Sequence, residues 1–230
     1  MRVDLDAVQI ARDSWSVSAT GRFTEGIHLV SGDTGSGKTT LARVIAGLTP
    51  PTTGTVQREG ICRAMISFQF PEHHVTGSTV SEECSSWGLD PLVILKQTSL
   101  DEKAGLSPLR LSRGELKRLH LACVLSQEYD LLVLDEPFSS LDCKEKERAC
   151  TTISGRTRGI TIIFTHEQAQ FPRVDMLWEI THGSLHCRGS LPDALHTWEL
   201  APEIIRTLIR DGRVPANLTR QDIREAACRI

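Results

Sequence analysis

Residues 32–39 read Gly32-Asp33-Thr34-Gly35-Ser36-Gly37-Lys38-Thr39 and match the pattern G-x-x-x-x-G-K-[ST]. The mostly apolar run 27–30 predicts a strand before it, and residues 40–47 predict a helix after it. Glycines let the backbone wrap closely around phosphate oxygens, and a helix N-terminus adds partial positive charge. We therefore predict a phosphate-binding loop (P-loop) for a nucleoside triphosphate.

Each part of this loop has an expected role. Lys38 is predicted to reach the β- and γ-phosphates, and the hydroxyl of Thr39 to bind Mg²⁺. A glycine-rich turn that merely ends in Lys-Thr is the alternative, but it would not account for the strand and helix on either side. The residues predicted to bind the nucleotide here are Gly32, Asp33, Thr34, Gly35, Ser36, Gly37, Lys38, Thr39 and Thr40.

Length, charge and cysteine content limit the class of protein. The 230 residues suit one large domain, or a core with a small lobe. With 26 basic and 29 acidic residues, the formal net charge of −3 gives no overall positive field, so no nucleic-acid partner is expected. Seven scattered cysteines without a C-x-x-C pair predict reduced, small buried apolar residues in a cytosolic protein.

The chain shows no pattern of its own for membrane insertion. Residues 1–6 lack the apolar core of a signal peptide, and no apolar run approaches the length that spans a bilayer. We expect a cytoplasmic protein that reaches a membrane only through a partner.

The remaining pattern predicts a mostly parallel sheet. Residues 2–30 predict antiparallel strands without a connecting helix. Further on, the buried runs 131–134 and 160–164 each follow a helical segment, as in the alternating β and α units of a parallel sheet. The other predicted elements are strands at 55–57 and 63–68, helices at 80–87, 92–96 and 111–125, a strand pair after residue 177, and a helix-prone tail from 192.

Polar residues follow three of the predicted strands. Asp135 and Glu136 come directly after the run 131–134, at an edge where ligands bind, so Asp135 is expected to hold Mg²⁺ and Glu136 to act as general base. His166 could contact the γ-phosphate or the attacking water, and the amide of Gln69 could touch Mg²⁺ or water. The alternatives are an Asp-Glu-Pro that only closes a strand and a histidine that is merely structural.

Six motifs in this order resemble the ATP-binding cassette (ABC) ATPases. They are the P-loop, Gln69, Leu111-Ser112-Arg113-Gly114-Glu115, Leu134-Asp135-Glu136-Pro137, Ser139-Ser140-Leu141-Asp142 and Thr165-His166. The resemblance implies an α/β P-loop NTPase of ABC ATPase type, with a mostly parallel sheet, flanking helices, an N-terminal antiparallel β-subdomain and a short helical subdomain. It implies an ABC ATPase domain over 1–195, with the helical subdomain at about 71–125, and a C-terminal helical tail over 196–230.

The same resemblance implies ATP and Mg²⁺ as cofactors and a dimer of ATPases. Two ATP molecules would be sandwiched, each between the P-loop of one subunit and the signature sequence of the other. Ser112 and Gly114 would then contact the partner's nucleotide, and Asp142 would lie in the dimer interface. A serine hydroxyl with backbone N–H groups at a helix start suits phosphate.

The segment 68–74, Phe-Gln-Phe-Pro-Glu-His-His, is similar to the Q-loop of the ATPase subunits of energy-coupling factor (ECF) importers. That similarity implies a transmembrane partner, a position on the inner face of the cell membrane, and uptake of a small molecule of the vitamin or metal-ion class. A soluble non-transport ABC ATPase and a regulatory nucleotide-binding subunit remain the alternatives.

The sequence departs from the family in three places. The signature reads LSRGE where the family has LSGGQ, so both a homodimer and a heterodimer with one weak site stay open. The segment between Gln69 and Leu111 is short for a helical subdomain. No aromatic residue is assigned to stack on adenine, because neither Trp15 nor Phe23 stands at the expected position, and an aromatic residue there is more often part of the core.

Other polar residues are given structural interpretations. Lys117, Arg118 and His120 are predicted on a solvated helix face, and His73 and His74 in an exposed loop. The segment 201–230 is predicted to form an amphipathic helix that docks on the core or on a second ATPase.

Overall fold

A single nine-stranded sheet organises the molecule in a computed structural model of the chain. The structure describes residues 1–12 and 15–228. Residues 13 and 14 of the predicted strand region 2–30, and residues 229 and 230 of the predicted tail, lie outside that part. In it, none of the helices is both long and apolar enough to cross a bilayer.

The elements follow the predicted order. The strands are β1 (Arg2–Arg12), β2 (Trp15–Thr24), β3 (Gly26–Gly32), β4 (Thr53–Glu59), β5 (Ala64–Ser67), β6 (Leu131–Asp135), β7 (Ile160–Thr165), β8 (Met176–Thr181) and β9 (Ser184–Ser190). The helices are α1 (Lys38–Ala46), α2 (Val80–Ser86), α3 (Pro91–Thr98), α4 (Arg113–Leu125), α5 (Cys143–Ser154), α6 (Glu203–Arg210) and α7 (Arg220–Cys228).

The centre of the sheet is parallel, as predicted. The strand order is β4-β1-β2-β9-β8-β3-β7-β6-β5, and β3 pairs in parallel with both β7 and β8, as does β6 with β5 and β7. Every residue of β6 and β7 is buried, which explains their unbroken apolar sequences. The parallel arrangement brings the carboxyl ends of β3, β5, β6 and β7 to one edge of the sheet.

The N-terminal part of the sheet is antiparallel. β1 pairs with β2 and with β4, and both pairings have a register shift near residues 5–9. β8 and β9 form the predicted strand pair after residue 177. The fold class read from the sequence is therefore confirmed.

Backbone conformation at the P-loop requires glycine at two positions. Between the end of β3 and the start of α1, Gly35 and Gly37 have φ angles of +84° and +94°. A residue with a side chain is strained there, because its Cβ approaches the backbone carbonyl in this region. Gly37 is also the N-cap residue of α1, so its left-handed conformation is where the loop turns into the helix.

A second, small core holds the helical subdomain together. Residues of α2, α3 and α4 pack around it, and the buried members include Val80, Cys84, Ile94, Leu95, Leu116 and Leu119. Helix α4 begins two residues later than predicted, at Arg113, because the side chain of Ser112 caps its N-terminus. The short segment between residues 69 and 111 is thus sufficient for two helices, which share a small core with α4.

The C-terminal helices pack on the main core. Ile205 of α6 and Leu218 before α7 are fully buried in the same cluster as β3 and β6. The side chain of Asn217 accepts from the N–H of Val174 at 2.9 Å and donates to its carbonyl at 2.8 Å, so it continues the backbone pairing like a short strand. The two predicted docking sites for the tail were the core and a second ATPase. In this structure the tail docks on the core.

The prediction for the cysteines is wrong for four of the seven. All seven lie in the described residues and are free; Cys84, Cys123 and Cys150 are buried. The other four lie at loops or solvent-facing positions: Cys62, Cys143, Cys187 and Cys228. The prediction failed because it used only the general tendency of cysteine to be buried. That tendency does not tell on which side of an element a particular cysteine lies.

Candidate functional site

A cleft opens over the P-loop at the carboxyl edge of the parallel strands. It is lined by residues from five separate parts of the chain: Trp15, Thr34, Gly35, Gly37, Lys38, Thr39, Thr40, Gln69, Glu136 and His166. Gly32, Asp33 and Ser36 complete the loop beneath them. The structure therefore brings together the P-loop and the acid and histidine predicted at the ends of β6 and β7.

Lys38 is almost completely buried beneath the loop, with 7% of its surface exposed. Its ammonium group donates to the carbonyl oxygens of Gly32 at 2.8 Å and Asp33 at 2.9 Å, and it lies 3.6 Å from Oε1 of Glu136. A buried charge is tolerated only when it is paired and hydrogen-bonded, as this one is. The loop thus encloses a fixed positive charge at the base of the cleft.

Glu136 and His166 form a hydrogen-bonded pair across the cleft. Nδ1 of His166 lies 2.7 Å from Oε1 of Glu136, while Oε2 accepts from the Thr165 hydroxyl at 3.1 Å and from the His166 N–H at 3.4 Å. With the carboxylate as acceptor, the proton of the imidazole belongs on Nδ1, which leaves Nε2 able to accept in the neutral ring. These contacts hold the carboxylate of Glu136 in one orientation, as general base chemistry requires.

The backbone of Glu136 is strained. Its φ angle is +49°, a left-handed backbone conformation that residues other than glycine rarely adopt. The conformation persists because the Glu136 N–H donates to the carbonyl of Phe164 at 2.8 Å and the side chain is held by Thr165 and His166. Strain of this kind concentrates at functional sites, where the surrounding structure enforces it.

Asp135 is a buried carboxylate without a hydrogen-bond partner. Only 1% of its surface is exposed, and neither side-chain oxygen has a partner within bonding distance among the described residues. Burial raises the pKa of Asp135, although the Thr39 hydroxyl, which lies nearby but outside hydrogen-bond geometry, and the charges of Lys117 and Lys38 act in the opposite direction. Two unsatisfied buried oxygens are rare in folded proteins, so a missing partner is indicated.

The ligand types around Asp135 fit Mg²⁺. This ion prefers oxygen ligands and takes only one or two carboxylates from the protein, with the rest from water and substrate phosphates. The carboxylate of Asp135, the Thr39 hydroxyl and the amide oxygen of Gln69 supply such ligands at one cleft. A cluster of three or more His, Cys, Asp or Glu residues, which would suit a transition metal, does not occur in residues 1–12 and 15–228.

The segment that carries Gln69 is held by buried polar residues of α4. Lys117 is 1% exposed and donates to the carbonyls of Phe68 and Gln69, both at 3.1 Å. His120 is buried and bonds to the Ser67 hydroxyl at 3.0 Å. The predicted solvated face at 117–120 is therefore wrong, because α4 is covered on one side by its own subdomain and on another by the segment 67–74.

The prediction of an exposed loop is also wrong for His74. Its Nε2 accepts from the Phe68 N–H at 3.1 Å, and its ring stacks on that of His120 with centroids 4.4 Å apart. Burial lowers the pKa of His74 to about 4, so the ring is neutral and free to accept. His73 is exposed, as predicted.

The unusual signature residue Glu115 has a local structural role. It completes a capping box with Ser112, and it forms a salt bridge with Lys103 at 2.6 Å. The Lys103 ammonium group is the main reason that the pKa of Glu115 falls to about 2. The extra negative charge of LSRGE is thus compensated within the subunit. Gly114 has no room for a side chain, since a Cβ there would lie 2.8 Å from the carbonyl of Ser140.

The predicted signature residues are not in the cleft. Ser112 and Gly114 stand at the start of α4, and neither lines the space over the P-loop. Asp142 is exposed and caps α5, accepting from the N–H groups of Lys144 and Glu145 at 2.9 Å. One subunit therefore does not join the signature to its own P-loop.

Trp15 is the site residue that sequence reasoning missed. It lies at the start of β2, is 36% exposed and lines the cleft next to Gly37. Phe23, in contrast, is fully buried in the core against Trp178. In the sequence, Trp15 is recognisable only as a large aromatic residue between two serines. Its position beside the P-loop depends on the pairing of β2 with β9, which the sequence pattern did not predict.

Comparison with known proteins gives consistent results. A family model described as ABC transporter matches residues 22–139. The chain is 29% identical to energy-coupling factor transporter ATP-binding protein EcfA2 of Thermotoga maritima, over 87% of this chain and 86% of the relative. It is 32% identical to EcfA1 of the same organism, over 71% of each chain.

Solved structures agree on the fold. An ATP-binding cassette in a dimeric post-hydrolysis state with ADP and phosphate superposes with a TM-score of 0.61 at 20% identity, covering 80% of this chain and 96% of that one. A bacterial Atm1-family ABC exporter with ATP bound gives a TM-score of 0.67 at 19% identity, covering 85% of this chain and 40% of the exporter chain.

The substitution Asp135→Asn should stabilise the protein in the absence of metal. A carboxyl pKa raised by folding means that ionised Asp135 costs stability above that pKa, and that the cost disappears as pH falls below the ordinary range of aspartate. We expect a gain of about 1 kcal/mol in the free energy of unfolding at neutral pH, the usual size for relieving a destabilised functional group. Urea denaturation with EDTA would measure it.

Asp130→Asn is the matched control. Asp130 accepts from the N–H groups of Cys62 and Arg63, and these bonds lower its pKa, so its replacement should destabilise the protein. An unchanged or lower urea midpoint for Asp135→Asn would show that Lys38 and Lys117 compensate its charge fully.

Proposed function

Because the chain belongs to the ABC transporter family and is an ATPase, we propose that it energises uptake of a small molecule through a separate transmembrane subunit of the ECF type. The observation that carries this proposal is the similarity to EcfA1 and EcfA2 along most of the chain. The segment 68–74, which resembles the ECF Q-loop, supports it. The class of cargo, a vitamin or a metal ion, rests on that resemblance.

The residues of the cleft suit hydrolysis of ATP. Lys38 and the N–H groups of residues 35–40 hold the phosphates, with the positive charge already in place. Glu136 accepts a proton from the attacking water, and His166 orients that carboxylate through Nδ1 and can accept a hydrogen bond from the attacking water through Nε2. Thr39, Gln69 and Asp135 would hold Mg²⁺, which would supply positive charge for the phosphate oxygens.

A second ATPase subunit would complete the site. The start of α4, with Ser112 and Gly114, lies outside the subunit's own cleft, so we assign it to the nucleotide of a partner. The Ser112 hydroxyl, held in the capping box with Glu115, would exchange a bond there for one to phosphate. We assign Asp142, at the exposed start of α5, to the same interface, as the family resemblance implies. The partner is another copy of this chain or a related cassette with its own signature.

Exposed apolar residues of the helical subdomain suit a membrane-embedded partner. Large apolar side chains are usually buried, and exposed groups of them mark interaction surfaces. Leu92 is 77% exposed and Leu109 62% exposed, and both lie in the subdomain that follows Gln69. Others in the same region are Phe70, Val93 and Leu106. This surface would place the ATPase on the inner face of the membrane without inserting it.

The proposal is tested by purifying the tagged protein from detergent-solubilised native membranes. Recovery of a small integral-membrane subunit is expected, and a second cassette ATPase in the same complex would identify a heteromeric pair. Leu92→Ser combined with Leu109→Ser should release the membrane subunit while ATP binding persists. Recovery of the wild-type protein alone, or with soluble partners only, would contradict the importer proposal and favour a non-transport ABC ATPase.

The variant Glu136→Gln should bind ATP and fail to turn it over. The amide keeps the shape and part of the hydrogen bonding to His166 but accepts a proton poorly, so we expect a loss in kcat of about 100-fold or more. Phosphate release would measure kcat, and size-exclusion chromatography with ATP should show a persistent dimer. Normal turnover by this variant would exclude Glu136 as the base. Glu167→Gln, at a glutamate that follows His166 but pairs with Lys146 outside the cleft lining, is the control.

We propose that Trp15 stacks on the adenine ring. It is an exposed indole at the rim of the P-loop cleft, and stacking of a base on an aromatic side chain contributes about 1–3 kcal/mol. Trp15→Ala should therefore weaken ATP binding about tenfold or more and leave inorganic triphosphate binding unchanged, as measured by calorimetry. Trp15→Tyr should retain most of the affinity. Equal losses for ATP and triphosphate would place the base elsewhere.

A further inference from the structure

A lysine inside the fold remains without a role in the proposed chemistry. Lys117 has 1% of its surface exposed, yet it contacts no phosphate-binding residue of the P-loop through a hydrogen bond. Burial lowers its pKa to about 8, while the charges of Asp135, Glu136 and Glu72 favour its charged form. Burying an ammonium group costs free energy, and a well-packed apolar residue would avoid that cost. A lysine at this position therefore needs a functional explanation.

The reason lies in what the ammonium group holds. It donates to two consecutive backbone carbonyls, those of Phe68 and Gln69, each at 3.1 Å. Two bonds to neighbouring peptide groups restrict their rotation. This fixes where the Gln69 side chain leaves the backbone, just after the last residue of β5.

Further contacts act on the same short segment. The N–H of Phe68 donates to His74, and the Ser67 hydroxyl bonds to His120, three residues after Lys117 on the same helix. The rings of His74 and His120 stack, which joins these contacts into one network. The backbone of residues 67–69 is thus bound on one side to β6 through β5 and on the other side to α4.

We propose that Lys117 is a positioning residue that fixes Gln69 and couples its place in the cleft to the position of the signature helix α4. The inference deepens the proposed function and rests on the assigned role of Gln69 in arranging Mg²⁺ or water. Ser112, at the start of α4, is less than two helical turns from Lys117. A helix is stiff over that length, so a shift of its N-terminus moves Lys117, and with it the two carbonyls.

This connection has a consequence for a pair of ATPase subunits. The start of α4 responds to the nucleotide held by the partner, while Gln69 serves the subunit's own nucleotide. Lys117, which alone among the described residues bonds to the carbonyl of Gln69, is therefore the most direct link between the two composite sites. Coupling of this kind requires an element that both sites bias, and α4 with its bound segment 67–69 is such an element.

The test is a double-mutant cycle between Lys117→Met and Gln69→Ala. Methionine keeps the length and apolar stem of lysine and removes the two hydrogen bonds. If Lys117 acts through Gln69, Lys117→Met should lower kcat about tenfold or more, because small misplacements of a positioned group have effects of this size. In the Gln69→Ala background the same substitution should have no further effect. Additive losses would overturn the proposal.

Hydrogen–deuterium exchange of the nucleotide-free protein gives a readout that is independent of activity. The amide groups of residues 67–74 should exchange faster in Lys117→Met than in the wild type, while those of the P-loop should be unchanged. Lys96→Met, an exposed lysine in the same subdomain, is the matched control and should alter neither exchange nor kcat. Unchanged exchange at 67–74 in Lys117→Met would overturn the proposal.

Two further outcomes separate this inference from the function on which it rests. If Gln69→Ala retains full activity, the assigned role of Gln69 is wrong, and the exchange data alone decide whether Lys117 holds the segment. Lys117→Arg guards against a loss caused by misfolding, because a guanidinium group can still donate to both carbonyls. It should keep the protection of residues 67–74, whereas equal loss of protection in Lys117→Arg and Lys117→Met would overturn the proposal.

Discussion

The ammonium group of Lys38 and the carboxylates of Asp135 and Glu136 lie together where little solvent reaches them. The charge on Lys38 is satisfied by the carbonyls of its own loop and by the nearby Glu136, whereas Asp135 has no hydrogen-bond partner in the described structure. Such an arrangement is costly in the empty protein and favourable once a cation and phosphates complete it. Much of the surrounding architecture serves to keep these groups in place.

The parallel sheet supplies the rigidity that this cluster needs. Glu136 is held in a left-handed backbone conformation because its N–H is bonded to the neighbouring strand β7 and its carboxylate to Thr165 and His166. The P-loop follows β3, the strand on the other side of β7, so all these groups share one sheet edge. The carboxylate of Glu136, the His166 ring and the P-loop are therefore fixed relative to one another before any ligand binds, as their proposed roles require.

The helical subdomain has a different character. It has its own small core and meets the sheet mainly through α4 and the segment 67–74. The apolar residues Leu121 and Val124 anchor the C-terminal half of α4 in the main core. The polar contacts of Lys117, His120 and His74 join the subdomain to the segment 67–74, so Gln69 is the group of the cleft that a shift of the subdomain would affect first.

The sequence by itself determined the parts of this protein whose signals are local. Three of these signals depend only on neighbours within a few residues: the spacing of Gly32 to Thr39, the apolar runs that became β6 and β7, and the acids at the end of β6. Together they gave the fold class and most of the cleft.

Only the tertiary structure decided the surroundings of Lys117, His120, His74 and Trp15. Charge and helical periodicity predicted exposure for the first two, because a sequence pattern does not show that another segment covers a polar face. Trp15 reached the P-loop because β2 and β9 pair although their partner residues are 166 positions apart in the chain. Lys117 became buried because the carbonyls of Phe68 and Gln69, just after β5, replaced its water. Such long-range pairing replaces hydration with specific partners, and no local pattern records it.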